Sequence, residues 1–365
     1  MRKLLFASAI IVVAACRDAS APTNPLTVEA ALAPSASVTT EASCAGGTSI
    51  EKLPLTDLRG CYLSYRGGLY PNGLNTLPDA HLAAGLAAAS RITPLDLNGQ
   101  PSANGKYVML AIGMSNTTQE FCDDDGDSKV CRQASFMGQA ADDSTVNRGT
   151  LAIVNGAFGS RSAPSWVSPS SVEYDRIRDR WLTPLGLSEK QVQIAWVKVA
   201  NRYPTVKLPN PNADAFVLES QLGQINRALK KRYPNLRQVF ISSRIFAGYA
   251  TIGLNPEPYA YESGFAVKWT IEAQVRQMMT GVVDGQTRDV RYDTGVASWM
   301  AWGPYLWASG MNPRSDGLTW ARTDFVFDGT HPAMSGRRKV GTSLLTFFKT
   351  SPVTSCWFLA GRSCQ

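Results

Sequence analysis

Tyr107-Val108-Met109-Leu110-Ala111-Ile112-Gly113-Met114-Ser115-Asn116-Thr117 opens with six apolar residues in a row and turns polar just past a glycine. A run this short and this uniformly apolar reads as a strand covered on both faces, the pattern of a parallel sheet between helix layers. Four further runs rich in branched residues follow, at 151–154, 192–199, 238–242 and near 297–301. Longer amphipathic segments separate them. Residues 215–232 repeat apolar positions at helical spacing after the start signals Asn210, Pro211 and Asp214. Residues 265–279 and 335–349 give two more helices. This alternation predicts a three-layer α/β/α sandwich around a flavodoxin-like parallel sheet of about five strands. In such sheets, sites form beyond the C-terminal ends of the strands.

Ser115 stands at that position, just after the first strand and at the start of a polar segment that reads as a helix. Its Oγ is exposed beyond the sheet edge, near backbone N–H groups that can stabilise an oxyanion. A serine hydroxyl alone is a weak nucleophile and needs a base. The chain has only two histidines. His331 closes Asp328-Gly329-Thr330-His331-Pro332, and a carboxylate three residues away can fix its tautomer and stabilise the imidazolium. His81 competes for the base role, but it lies in an alanine-rich helical stretch whose polar side is expected to face solvent or a neighbouring loop. The bland alternatives are a helix-capping serine and an aspartate capping the last helix.

The serine segment is not a G-x-S-x-G elbow, since Thr117 fills the last position, and Asp and His share one short segment, which argues against an α/β-hydrolase. A serine behind an N-terminal strand with a C-terminal D-x-x-H resembles the SGNH, or GDSL-like, hydrolases. The resemblance spans most of residues 60–350. Asp328-Gly-Thr-His331-Pro332 is its strongest match, and Gly113-Met114-Ser115-Asn116 is closest to the G-x-S-N variant of sialic-acid and other carbohydrate acetylesterases. It implies a Ser115-His331-Asp328 triad. It also implies an oxyanion hole of the Ser115 N–H, a backbone N–H from Val154-Asn155-Gly156-Ala157-Phe158-Gly159-Ser160, assigned to Gly159 with Ser160 as alternative, and the Asn201 side chain. The block around Asn201 keeps only the asparagine of the family's G-x-N-D.

Two aromatic candidates for a substrate subsite are Tyr259, in Asn255-Pro256-Glu257-Pro258-Tyr259, and Trp302, in the run 299–307 near the last strand. Core packing is the competing explanation for these rings. The expected activity is a serine esterase that removes short, acetyl-like acyl groups from a carbohydrate or small ester. The alternative is a lapsed enzyme of the same fold that binds glycan or an envelope partner. Neither reading calls for a cofactor or a metal.

Residues 1–16 place Arg2 and Lys3 before an apolar run too short to span a bilayer, and Ala14-Ala15-Cys16 resembles a lipobox. Lipidation of Cys16 is expected, with a plain secretory signal cleaved near Ala15 as the alternative. The chain would then be exported and anchored in the cell envelope, periplasmic or outer-surface. Residues 17–43, rich in Ala, Ser, Thr and Pro, read as a tether reaching roughly 30 Å, and 44–365 as one hydrolase domain. Setting Cys16 aside leaves six of the seven cysteines, which suits three disulfides in an oxidising compartment. Chain order suggests Cys44 with Cys61, Cys122 with Cys131 and Cys356 with Cys364, among about fifteen connectivities.

The formal charge of +7 falls to +5, 34 basic against 29 acidic residues, once Arg2 and Lys3 leave with the signal. That excess is too dilute to imply nucleic acid. Lys230-Lys231-Arg232 and Arg337-Arg338-Lys339 read as solvated helix faces. Asp123, Asp124, Asp125 and Asp127 surround Gly126 between two cysteines but lack the glutamate of an EF-hand, so a solvated loop is expected over a calcium site.

Overall fold

The computed structural model describes Cys44 and residues 47–122 and 130–364. Cys16, the tether at 17–43 and the aspartates at 123–127 lie outside the described residues. Five parallel strands form the central sheet: β1 (Tyr107–Gly113), β2 (Leu151–Asn155), β3 (Val192–Lys198), β4 (Gln238–Ile241) and β5 (Trp299–Trp302). Their order is β2-β1-β3-β4-β5, so the chain reverses direction across the sheet between β1 and β3. That is the flavodoxin-like order, whose switch point is where a site is expected.

Alternate residues of β1 build the two cores. Val108, Leu110 and Ile112 pack on one side with residues of α5 (Asp214–Arg232) and α6 (Tyr259–Thr280). Tyr107, Met109 and Ala111 pack on the other with α2 (Ser115–Phe121), α3 (Phe136–Asp142) and α7 (Met334–Thr350). This period of two explains why β1 reads as continuously apolar: both faces are covered. A small three-stranded sheet, Thr48–Ser49, Cys61–Tyr62 and Tyr65–Arg66, lies outside the main one. The structure pairs Cys44 with Cys61, Cys122 with Cys131 and Cys356 with Cys364. Among the described residues no helix is long and apolar enough to cross a membrane.

Three local expectations are corrected. Helix α6 begins at Tyr259, six residues before 265, because Pro258 starts the helix and Ala260, Tyr261 and Glu262 are already buried. Strand β5 begins at Trp299, not near 297, because Asn226 of α5 takes both backbone groups of Ser298, at 2.9 and 3.0 Å. The basic triplets are not simply solvated faces. Arg337 is buried and donates to Pro332 O at 3.0 Å, while Arg232 pairs with Glu189 and Asp175.

His81, on α1 (Asp79–Ala89), does not face solvent. Its Nε2 donates to Met300 O at 2.8 Å, its ring stacks on Trp299, and its own carbonyl accepts from Trp299 Nε1. Burial pushes its pKa down to about 4, so the ring is neutral and structural.

Candidate active site

Gly113 ends β1 where no larger residue fits: an added Cβ would lie 2.3 Å from Lys198 O and 2.4 Å from Thr117 Oγ1. This close approach lets Thr117 donate to Lys198 O at 2.6 Å, locking the first turn of α2 onto the end of β3. Ser115 therefore emerges at the switch point with its backbone fixed. Beneath it, Lys198 Nζ reaches both oxygens of Glu120, at 2.6 and 2.8 Å, with both side chains fully buried. Burial pushes the Glu120 carboxyl up and the Lys198 ammonium down to about 8, and each partner pulls the other back.

The Asp328–His331 turn arrives from the other side. Gly329 has φ +64°, and a Cβ there would overlap Tyr249 O at 1.8 Å, so glycine is required on both counts. Thr251 N–H holds Asp328 O at 2.9 Å, and Asn116 Nδ2 donates to Thr330 O at 3.0 Å. Asn116, the residue after the serine, is thus a tie between α2 and the turn that carries His331.

The resulting relay is tight. Ser115 Oγ lies 2.8 Å from His331 Nε2, and His331 Nδ1 lies 2.6 Å from Asp328 Oδ2. Asp328 Oδ1 also accepts from the N–H groups of Thr330 and His331, at 2.9 and 3.0 Å. Burial alone would raise the Asp328 carboxyl, but the bonds from His331 and Thr330 outweigh it and hold the group below the usual carboxylate range. An ionised carboxylate can only accept, so Nδ1 carries the proton, Nε2 is the free base and the serine hydroxyl donates to it.

The loop after β2 sits beside the serine. Asn155 donates to Thr118 Oγ1 at 2.6 Å and accepts from Ala157 N–H, and Phe158 N–H donates to Gly113 O at 3.1 Å. Arg176, on α4 (Val172–Ile177), fastens this loop by donating to Gly156 O and covering the Phe158 ring. Among the described residues no acceptor meets the Gly159 N–H, and the space where its Cβ would stand is open. Ser160 follows in the left-handed region, φ 65°.

Asn201 lies three residues past β3, largely buried. Its Nδ2 donates to Asp214 Oδ1 at 2.9 Å, which fixes which end of the amide is nitrogen. One amide hydrogen is thereby used and the second remains. Burial raises the Asp214 carboxyl, against the Asn201 bond.

Of the two aromatic candidates, Tyr259 is half-buried at the start of α6, with Asp214 among the charges acting on it. Trp302 is corrected: it is buried in the core, and its indole N–H donates to Leu69 O at 2.6 Å, so it offers no face to a ligand. Tyr305 and Trp307 are buried as well. Two rings that the motifs did not single out are exposed instead. Phe327, beside Asp328, is 88% exposed, and Tyr203, two residues past Asn201 and at φ 55°, is 59% exposed. Adjacency to the site residues was the available signal.

Strand order, the serine behind β1 and the Asp-x-x-His before the closing helix together place a Ser-His-Asp constellation at the switch point of a flavodoxin-like α/β/α fold. No protein-family model matches the chain, and no curated protein matches it. Among solved structures, it is similar to an extracellular lipase from Streptomyces rimosus, at 13% identity over 65% of this chain and 99% of that one, with a TM-score of 0.30. It is similar to a mutant of an acetyl-xylooligosaccharide esterase from Geobacillus stearmophilus, at 12% identity over 66% and 93%, TM-score 0.36. A third is phospholipase A1 from Streptomyces albidoflavus, at 10% identity over 66% and 100%, TM-score 0.28.

Proposed function

We propose that the protein is a serine-dependent carboxylic ester hydrolase. The observation that carries this is the Ser115 Oγ to His331 Nε2 distance of 2.8 Å, backed by His331 Nδ1 to Asp328 at 2.6 Å. Ser115 Oγ attacks the ester carbonyl carbon as its proton passes to Nε2, and Asp328 stabilises the imidazolium. The N–H groups of Ser115 and Gly159 and the second amide hydrogen of Asn201 hold the oxyanion. The intermediate collapses, and His331 returns the proton to the departing alcohol. Water, deprotonated by His331, then attacks the acyl-serine, and the acid leaves with Ser115 restored.

The preferred substrates are short acyl esters, acetyl groups on carbohydrates above all. The G-x-S-N resemblance supports this, and the exposed rings of Phe327 and Tyr203 can lie on sugar faces, with Tyr259 as a third candidate. Three disulfides fit an oxidising compartment, and lipidation at Cys16 would hold the domain at the envelope.

Hydrolysis of p-nitrophenyl acetate by the parent, lost in both Ser115→Ala and His331→Ala, is the expected result; activity surviving both substitutions sinks the triad. Acetylated oligosaccharides should outperform simple acyl esters, and Phe327→Ala should raise KM for the former alone. A fatty-acid probe should label the parent and spare Cys16→Ser.

A further inference from the structure

At the rim of the sheet opposite Ser115, the segments entering β4 and β5 meet the ends of α1 and α5 around a cavity of about 300 Å³. Its walls carry Arg91, Lys230 and Arg237, together with Tyr292, Asp293 and Trp299. The cations are poorly matched by anions. Among the described residues Arg91 and Arg237 have no carboxylate partner, and Arg237 Nε is buried with no acceptor. Among the described residues Lys230 Nζ donates to the carbonyls of Pro234 and Leu236, at 2.8 and 3.0 Å, and to no carboxylate. Asp293 is taken by Arg291, which holds its two oxygens at 3.0 and 2.5 Å.

Like charges gathered in a half-dry cavity repel one another. Burial, then Arg237, pushes Lys230 down to about 8, and burial, then Arg91, lowers Arg237. A fold that needed this corner only for packing would be better served by a carboxylate or an apolar side chain there. Two guanidinium forks and an ammonium instead match an oxyanion of double charge. The less polar part of the wall, Ala84, Ala88 and the half-buried Tyr292, offers a second kind of contact beside them.

We propose that this cavity binds a small phosphate-bearing molecule, its phosphate held by Arg91, Lys230 and Arg237 and its organic part resting on the alanines and Tyr292. The site lies on the far rim from the serine and does not depend on the esterase reading. Calorimetric titration of the full chain with inorganic phosphate and with phenyl phosphate, each matched in ionic strength with sodium chloride, tests it. Saturable binding is expected, tighter for phenyl phosphate, and unchanged in Ser115→Ala. Arg91→Gln and Arg237→Gln should each raise Kd about tenfold or more, the loss of one charge-assisted contact. Arg91 is exposed, so its variant decides the question if Arg237→Gln does not fold. Binding that does not saturate, or that both variants leave unchanged, overturns the site. Equal affinity for the two phosphates overturns the role of the apolar wall.

Discussion

Asp328→Asn separates the orienting work of the carboxylate from the shape of the turn. Asp328 accepts from Thr330 N–H at 2.9 Å, from His331 N–H at 3.0 Å and from His331 Nδ1 at 2.6 Å. An amide keeps one oxygen for the two backbone donors, but its NH2 then faces Nδ1, which must become an acceptor. The proton moves to Nε2, and His331 can no longer accept from Ser115. By the logic of such triads the wrong tautomer costs about 10,000-fold in kcat. Stability changes less, because three charge-assisted bonds become neutral ones at roughly 1 kcal/mol each. The sign of the pH dependence follows from the lowered Asp328 carboxyl: its stabilisation is complete above the unfolded value of 3.8 and is lost as pH falls through the lower folded value. Steady-state hydrolysis of p-nitrophenyl acetate and urea unfolding, at about pH 7 and about pH 3, read both effects. The difference between the urea midpoints of parent and variant should be full at the higher pH and smaller at the lower. A kcat within tenfold of the parent would refute the claim that Asp328 sets the His331 tautomer.

Asn116→Ala should leave the Thr330 carbonyl unpartnered, costing about 1–3 kcal/mol of stability, and should lower kcat more than it raises KM; an unchanged kcat would remove Asn116 as the tie. Lys198→Met alone should destabilise by about 3–5 kcal/mol, whereas combining it with Glu120→Gln should recover part of that, since it removes the carboxylate left without its ammonium, although Arg244 and Arg337 also act on Glu120; equal denaturation midpoints for single and double variants would contradict this. Asn201→Ala should reduce transition-state stabilisation by roughly 3 kcal/mol, about 100-fold in kcat, and normal kcat would exclude its amide from the oxyanion hole. Glu262 is pushed by burial up to about 7 from 4.5, against bonds from Leu208 N–H and Tyr62. A raised folded pKa stabilises below the unfolded value and loses that contribution as pH rises through the folded one. Stability should therefore decline across that window, and Glu262→Gln should flatten the decline; an unaltered slope in urea midpoints counts against the shift.

How much of this was legible follows from where each constraint resides. Strand β1 could be bounded from sequence because its burial on both faces leaves a local signature, an unbroken apolar run ending in a glycine that the Lys198 carbonyl makes obligatory. Asp328 and His331 could be paired because three residues of chain already place them together, and the shortage of histidines narrowed the choice of base. What escaped was set by partners far away in the chain. The start of β5 depends on the Asn226 side chain, 72 residues upstream. Trp302 stands where a strand end could have opened toward a ligand, yet Leu69, 233 residues before it, claims the indole N–H. The orientation of the Asn201 amide depends on Asp214, and no pattern around 201 announces it.

The Glu120–Lys198 pair shows why such distant constraints matter to the chemistry. In sequence, Lys198 is the polar residue ending an apolar strand and Glu120 one of several polar residues on a short helix; each alone reads as solvent-facing. Buried together they cost desolvation that an apolar pair would not, so stability does not account for them. What an apolar pair could not supply is direction: a carboxylate gripped at 2.6 and 2.8 Å fixes α2 in both rotation and distance relative to β3. Thr117 on Lys198 O fixes the same helix at its first turn, and Asn116 on Thr330 O transfers the alignment to the turn bearing His331. Ser115 and His331 are 216 residues apart in the chain. These three polar links add direction to the packing of Phe121 beneath them and bear on the 2.8 Å contact from both sides.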